Sequence, residues 1–373
     1  MKTIIRSVLL GDIEQLEGIE ETCFQCDRIS RRSFRYWVKS ERRVFMVAEV
    51  EGKVLAYALV MLLKGTKLAR LYSIAVLPTA RSMGLAKQLM LAVEEESAQR
   101  GRIFMRLEVS AENHRAIDIY KKAGYRQFGT YEDYYEDHQD ALRLQKLIQV
   151  YGDQQHMDER IPWIQQNTKF SCGPTALMMA MASLSSSYMA SQMEELNIWR
   201  EATTIFMTSG HGGCHPIGLA LSAQKRGFHA EVVINQTGPL FLDGVRDLKK
   251  KAIVEFVHHA FKEEARKSHL PVHLSEVTQV DIESWFNEGR MILILISTYR
   301  MDDRKVPHWV LVSGVDSRCL YVHDPDPIEE DSPLIGGRFI PVARNDFDKM
   351  SLYGRSRLRT AIVLSKKSKK TPV

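Results

Sequence analysis

A strand that runs into a glycine-bearing loop and then a helix constrains this chain more than any other feature in it. The stretch is LYSIAVLPTARSMGLAKQLML, Leu71 to Leu91. Leu71 to Val76 alternates and is β-prone, which predicts a strand, and Pro78 ends it. Arg81-Ser82-Met83-Gly84-Leu85-Ala86 predicts a tight turn. Leu85, Leu89 and Val93, with Met90 and Ala86 beside them, then recur at helical spacing. The first N–H groups of a helix have no acceptor inside it. Strand, loop and helix start therefore form a cradle for an anion such as a pyrophosphate, and small residues at Gly84 and Ala86 let the backbone approach it. Any strand-to-helix turn shares this form, so the stretch needs support from elsewhere.

At 373 residues the chain is too long for one ordinary domain, and two are expected. A hydrophobic share of 45% and a charged share of 26% fit a globular protein with real cores. The net charge of +5 suits an acidic small-molecule ligand and falls short of a dedicated nucleic-acid binder. Five cysteines, an odd and low number, argue for a reducing cytosol over a secreted disulfide framework. The opening MKTIIRSVLLGDIEQ is broken by Arg6 and Asp12 and predicts a strand and helix start, not a signal peptide. The most apolar run, Met291 to Ser297, is too short to cross a bilayer. These features predict a cytoplasmic protein with no membrane span.

Residues 3–9 predict a strand and Ile13 to Cys23 an amphipathic helix. Val44 to Val50 and Val54 to Leu63 predict a hairpin around Glu51-Gly52-Lys53. After the 71–97 strand and helix come a strand over Ile103–Ser110, a helix over Asn113–Ala123 and a closing segment, Tyr131–Leu147. That alternation predicts an α/β domain with a mixed sheet. Between Gln149 and Arg160 the chain turns polar, with Gly152-Asp153-Gln154-Gln155, which puts the domains at 1–150 and 158–365. Cys23-Phe24-Gln25-Cys26 has redox spacing, but without thioredoxin context it predicts structural cysteines. Lys366-Lys367-Ser368-Lys369-Lys370 predicts a solvated basic tail.

The support for the cradle comes at Leu107-Glu108-Val109-Ser110-Ala111-Glu112-Asn113, followed by a helix through Tyr120 and by Gly124-Tyr125. Over about residues 1–148 the sequence resembles the GNAT N-acetyltransferases, most closely those that acetylate the N-terminal alanine of ribosomal proteins. The matching elements are Arg81-x-x-Gly84-x-Ala86, the LEVSAEN run, Tyr120, Gly124-Tyr125 and Tyr134-Tyr135. One departure is Ala86, where many relatives carry glycine; either residue is small enough. The resemblance implies a GNAT fold, acetyl-CoA as cofactor, and a peptide or protein amine as acceptor.

Acetyl transfer requires that a thioester be held, an ammonium lose a proton and a leaving thiolate gain one. A strand edge that splays from its neighbour, at Ile74 to Val76, can offer free amides to the acyl oxygen and pantetheine arm. The loop Arg81, Ser82, Met83, Gly84, Leu85 and Ala86 follows for the pyrophosphate. Glu108 ends a strand and Tyr120 lies two turns into the next helix, so a short connection can bring both to one cleft as general base and acid. The resemblance implies the same two roles. An α-amine titrates near pH 8 and a phenol near 10, so both tasks are modest. Asn113 is positioned to cap its helix, and the resemblance adds a coenzyme contact. Tyr134-Tyr135 are candidates to line the acceptor cleft.

A second centre is Gln166-Asn167-Thr168-Lys169-Phe170-Ser171-Cys172-Gly173-Pro174-Thr175, which opens an apolar helix. A cysteine at the positive end of a helix dipole has its thiolate favoured. Gln166, upstream, can form an oxyanion hole with the Cys172 amide. Pro307-His308-Trp309-Val310-Leu311-Val312 and Tyr321-Val322-His323-Asp324-Pro325 predict two strands of a hairpin, with His308 as base and Asp324 orienting its ring. This Gln–Cys–His–Asp order, over about residues 158–350, resembles the papain-like peptidases that remove double-glycine leaders from bacteriocins. Those peptidases are commonly fused to an ATP-driven transporter; here a membrane span and a Walker A loop are lacking from the sequence. His211-Gly212-Gly213-Cys214-His215-Pro216 has no second clustered pair, so no metal site is expected and a turn into an Ile217–Lys225 helix explains it. His258-His259 predict helix-face residues, Met178, Met179 and Met181 core, and Cys319 a buried strand position. The expected protein is an acetyl-CoA-dependent N-acetyltransferase followed by a cysteine peptidase. The rival reading makes the second half a peptide-binding module without hydrolysis.

Overall fold

A computed structural model describes residues 3–25, 27–149, 156–206, 211–242, 245, 247–298, 306–326 and 337–366. Cys26, the polar run Gly152-Asp153-Gln154-Gln155 and the tail beyond Lys366 lie outside the described residues. The chain divides into two compact units, Met1–Gly152 and Asp153–Val373.

The first unit runs β1 (Thr3–Ser7), α1 (Ile13–Cys23), α2 (Arg31–Lys39), β2 (Arg43–Val50), β3 (Lys53–Leu62), β4 (Leu68–Val76), α3 (Leu85–Gln99), β5 (Phe104–Ser110), α4 (His114–Lys122), β6 (Arg126–Tyr131) and β7 (Ala141–Leu147). Its sheet has the order β1-β2-β3-β4-β5-β7-β6 and is antiparallel except at β4–β5. The hairpin between β2 and β3 turns at Glu51 and Gly52, both with positive φ, a turn whose twist matches that of the strands. β3 is covered on both faces. Ala56, Ala58 and Val60 pack with Leu85, Leu89 and Val93 of α3, while Tyr57 and Leu59 pack with Leu16, Ile19 and Phe34 of α1 and α2. A strand buried on both sides reads as a continuous apolar run, as KVLAYALVML does.

α2 was not anticipated. It is capped by Ser30, which accepts the Ser33 N–H, and it packs on the core through a short stripe, buried Phe34 with half-buried Trp37 and Val38, set amid three arginines and a lysine. β4 also begins earlier than the apolar run, because Arg70 within it is buried as half of an ion pair.

The second unit contains β8 (His156–Met157), α5 (Cys172–Leu184), α6 (Gln192–Ala202), α7 (Pro216–Lys225), β9 (Phe228–Ile234), α8 (Leu248–Lys267), β10 (Val272–Leu274), α9 (Gln279–Asn287), β11 (Met291–Ser297), β12 (Pro307–Val315), β13 (Cys319–His323), β14 (Ile340–Ala343), α10 (Arg344–Met350) and β15 (Thr360–Lys366). Its sheet has the order β10-β9-β15-β11-β12-β13-β14, with β8 beside β12. The helix α5 is buried almost all round, including Met178, Met179 and Met181, and shares a core with Leu293, Leu295, Trp309 and Leu311. Such a helix reads as uniformly apolar because it has no solvent face. Among the described residues, no helix is long and apolar enough to cross a membrane, and no His, Cys, Asp and Glu cluster could hold a metal ion.

His215 and His258 differ from simple turn and surface residues. His215 caps α7: its Nδ1 accepts the Ile217 N–H at 3.1 Å, and its Nε2 lies 3.0 Å from His258 Nδ1. With Nδ1 accepting, Nε2 carries the proton and donates to His258. His258 faces inward on α8, while His259 faces solvent. Burial, then the charge of His258, pushes the His215 pKa well down. Burial, Lys262 and His259 push His258 down to about 4. Both rings are therefore neutral in the folded state near neutrality. This neutral pair contributes stability that is fully present above about pH 6.5, where an unfolded histidine titrates, and is lost as pH falls through the folded value of about 4. His258→Gln is expected to shrink the fall in thermal unfolding midpoint of the second unit between neutral and acid pH; an undiminished fall would refute the assignment.

Candidate active sites

In the first unit, β4 and β5 pair only at Leu68–Arg70 against Phe104–Arg106. Beyond that point the β4 edge has no ladder with β5, although its other edge stays paired with β3 as far as Val76. Ile74 and Val76 lie in this parted segment. The loop Arg81, Ser82, Met83 follows, and Gly84 caps α3 at φ 70°, with no atom within 4 Å of where a Cβ would stand. Leu85 and Ala86 open the helix, whose first-turn N–H groups look out over this open loop. The residues present thus fit an extended thioester arm ending in a pyrophosphate. Cys23 Sγ donates to the Val76 carbonyl at 3.4 Å, a structural contact at the end of β4.

On β5, Met105, Leu107 and Val109 enter the core under α3, so strand alternation turns Arg106, Glu108 and Ser110 to the other face. There Glu108 Oε2 accepts from Arg70 Nε at 2.7 Å, and Arg70 Nη2 donates to the Tyr134 hydroxyl at 2.8 Å. Both members of the ion pair are buried. Sequence reasoning missed Arg70. A lone arginine after a lysine-rich turn carries no signal until its carboxylate partner is known to be across the sheet. Tyr134 stacks on Tyr131 and meets Tyr135 edge-on. Burial, then Tyr134, Glu108 and Tyr120, raise the Tyr135 pKa. Tyr120 packs edge-to-face on Tyr125, and burial pushes its phenol up, so it keeps its proton at neutral pH. Asn113 is the cap of α4, its Oδ1 accepting the Ala116 N–H at 3.1 Å.

In the second unit, Cys172 is the first residue of α5. Strands β12 and β13 are antiparallel neighbours, and their ends bring His308 Nε2 to 2.6 Å from Asp324 Oδ1. With Nε2 engaged by Asp324, Nδ1 is the ring nitrogen that remains for the Cys172 sulfur. Burial opposes charge on this ring, but Asp324 and Cys172 outweigh it and hold the His308 pKa well above its ordinary value. An imidazolium flanked by a carboxylate and a sulfur is the arrangement that makes a thiolate available.

Gln166 is buried nearby. Its N–H donates to the Pro325 carbonyl at 2.8 Å, and its Nε2 donates to Asp326 Oδ1 at 2.9 Å. The second hydrogen on Nε2 remains for an oxyanion. Asp326 in turn donates its N–H to Asp324 Oδ1 at 2.9 Å, so the Asp-Pro-Asp turn joins Asp324 to the glutamine. Sequence reasoning missed Asp326. Two close approaches hold the site. A Cβ on Gly337 would stand 1.8 Å from the Asp324 carbonyl oxygen, and one on Gly173 would stand 3.1 Å from Cys214, Leu219 and Trp309. The Gly-rich turn that leads into α7 packs against the start of α5: Cys214 is buried against Gly173, and its carbonyl accepts from the Trp309 indole at 3.2 Å.

Comparison with known proteins covers both units. Residues 161–365 match the Peptidase_C39 like family, and residues 13–125 match the Acetyltransferase (GNAT) family. An N-alpha-acetyltransferase of Sulfurisphaera tokodaii is 29% identical over 153 residues, 38% of this chain and 90% of the relative. An N-alpha-acetyltransferase of Sulfolobus acidocaldarius is 27% identical over 153 residues, 38% of this chain and 89% of the relative. The crystal structure of the ribosomal-protein-S18-alanine N-acetyltransferase from Escherichia coli is 26% identical, with a TM-score of 0.38, across 41% of this chain and 97% of that one. The chain belongs to the Peptidase_C39 like family and carries, in its first unit, a GNAT acetyltransferase domain.

Proposed function

We propose that the chain is bifunctional: an acetyl-CoA-dependent N-acetyltransferase acting on a peptide or protein amine, joined to a cysteine peptidase that cleaves a peptide amide. GNAT proteins use acetyl-CoA, and the relatives named for α-amine acetylation support an N-terminal amine as acceptor. Free thiols at Cys23, Cys172, Cys214 and Cys319 are in keeping with a cytoplasmic protein.

In the first unit, Ile74, Val76, the loop from Arg81 to Ala86 and Asn113 would hold the cofactor. The cofactor supplies the thioester carbonyl that the amine attacks. Arg70 occupies one oxygen of Glu108, and the other takes the ammonium proton, directly or through a water. Tyr120, kept protonated by burial, gives its proton to the departing sulfur.

In the second unit, the Cys172 sulfur attacks the scissile carbonyl. The Cys172 N–H and the Gln166 amide take the resulting oxyanion, and His308 gives its proton to the leaving amine. Water then attacks the thioester, His308 accepts its proton, and the sulfur leaves. Asp324 keeps the ring turned. The observation that carries this half is the buried His308 ring held by Asp324, with Cys172 at the start of α5 acting on the same ring, which a module that only binds peptide does not require.

Tyr120→Phe is expected to lower kcat for acetylation of a peptide library by about 10²–10⁴-fold with the acetyl-CoA KM little changed, as steady-state kinetics will report. Cys172→Ala is expected to abolish cleavage while acetylation persists, which mass spectrometry of peptides incubated with and without acetyl-CoA resolves; cleavage by the variant would sink the peptidase reading. The charged state of His308 contributes stability fully present below about pH 6.5 and lost as pH rises through its raised value. The alkaline limb of cleavage should accordingly lie above ordinary imidazole titration and move down in Asp324→Asn.

A further inference from the structure

Glu195, on α6, is completely buried, and among the described residues it forms no ion pair. Its carboxylate is instead surrounded by neutral donors. Oε1 accepts the Asn167 N–H at 2.8 Å and the Ser171 hydroxyl, and Oε2 accepts from Asn167 Nδ2. A second tie closes the same loop, with Thr168 Oγ1 donating to Ser171 Oγ at 2.7 Å.

Asn167 directly follows Gln166, and Ser171 directly precedes Cys172. One carboxylate therefore grips both ends of the loop that runs from the oxyanion amide to the nucleophile. At its far side Gln166 is fixed by Pro325 and Asp326, so the loop is held from two directions. Burying an acid without a cation is costly unless its hydrogen bonds are satisfied. An apolar residue would fill the space on α6 but would leave the Asn167 N–H and its side-chain amide without acceptors, and the Ser171 hydroxyl with only the Thr168 carbonyl.

We propose that Glu195 is a positioning residue of the cysteine site, whose carboxylate sets the distance between the Gln166 amide and the Cys172 sulfur. The inference rests on the peptidase reading. Its consequence is selective. Direct alkylation of the sulfur needs no oxyanion hole, whereas a tetrahedral adduct does.

The test uses the full chain with two probes of Cys172: iodoacetamide, which reports the thiolate, and a peptide aldehyde ending in Gly-Gly, which forms a hemithioacetal that draws on the hole. In Glu195→Ala the alkylation rate and its pH profile should stay within about twofold of wild type, while aldehyde affinity falls by about 10- to 100-fold, the scale of an ångström-level misplacement. Glu195→Gln should be intermediate, because its oxygen keeps two of the bonds and Asn167 can turn its amide to meet the new donor. Ser171→Ala, which removes one strut and leaves the carboxylate, serves if Glu195→Ala does not fold. Parallel loss of both probes, or no loss of aldehyde affinity in any variant, overturns the positioning role. A wild-type protein that is alkylated but does not bind the aldehyde overturns the peptidase reading itself, and the inference with it.

Discussion

Main-chain donors left without acceptors are the resource both units depend on. Where β4 leaves β5 after Arg70, and where α3 starts at a left-handed Gly84, the first unit exposes amides that a sheet or helix interior would have consumed. The start of α5 does the same beside Cys172. Each opening is costly for folding, since unpaired amides are tolerated only where water or a ligand can reach them. The surrounding architecture supports them. β4 remains paired on its other edge, α3 and α5 are buried along their lengths, and the strain is confined to one edge or one turn.

The side chains that accompany these donors are held by neighbours rather than by their own conformational preference. Glu108 is fixed by Arg70 on the neighbouring strand, and Arg70 in turn by Tyr134. His308 is fixed by Asp324 on the adjacent strand. Gln166 is tied to the turn that follows that aspartate. Such buried polar groups are expensive when one partner is missing and rigid when all are present. In the second unit the ties form a chain: His308 to Asp324, Asp324 to Asp326, Asp326 to Gln166, and Gln166 through its loop to Cys172. A displacement along that chain is carried toward the cysteine.

Several elements were legible from residues alone because their signals are local. The β2–β3 hairpin declares itself by two apolar runs around Glu51-Gly52, and α1 by its period. The apolar α5 and the strand β11 are both evident, since complete burial leaves no polar alternation. From the order Gln166, Cys172, His308, Asp324 the expected meeting of His308 with Asp324 is found, because adjacent antiparallel strands carry both. α2 was missed, because its apolar stripe of Phe34, Trp37 and Val38 is short and set among basic residues. Nor was the inward turn of His258, since adjacent histidines on a helix look alike until a partner covers one of them.

By itself, then, the sequence determined the periodic elements, the two resemblances and the chemical types available to each centre, because these depend on residues close together or on unmistakable side chains. Only the tertiary structure decided that Arg70 neutralises Glu108, that Glu195 closes the loop between Gln166 and Cys172, and that Asp326 holds the glutamine amide. Those pairings join residues 38, 28 and 160 positions apart. A charged or amide side chain is equally at home in solvent at any such position, so nothing short of the folded arrangement can say which of them has been taken out of water, or by whom.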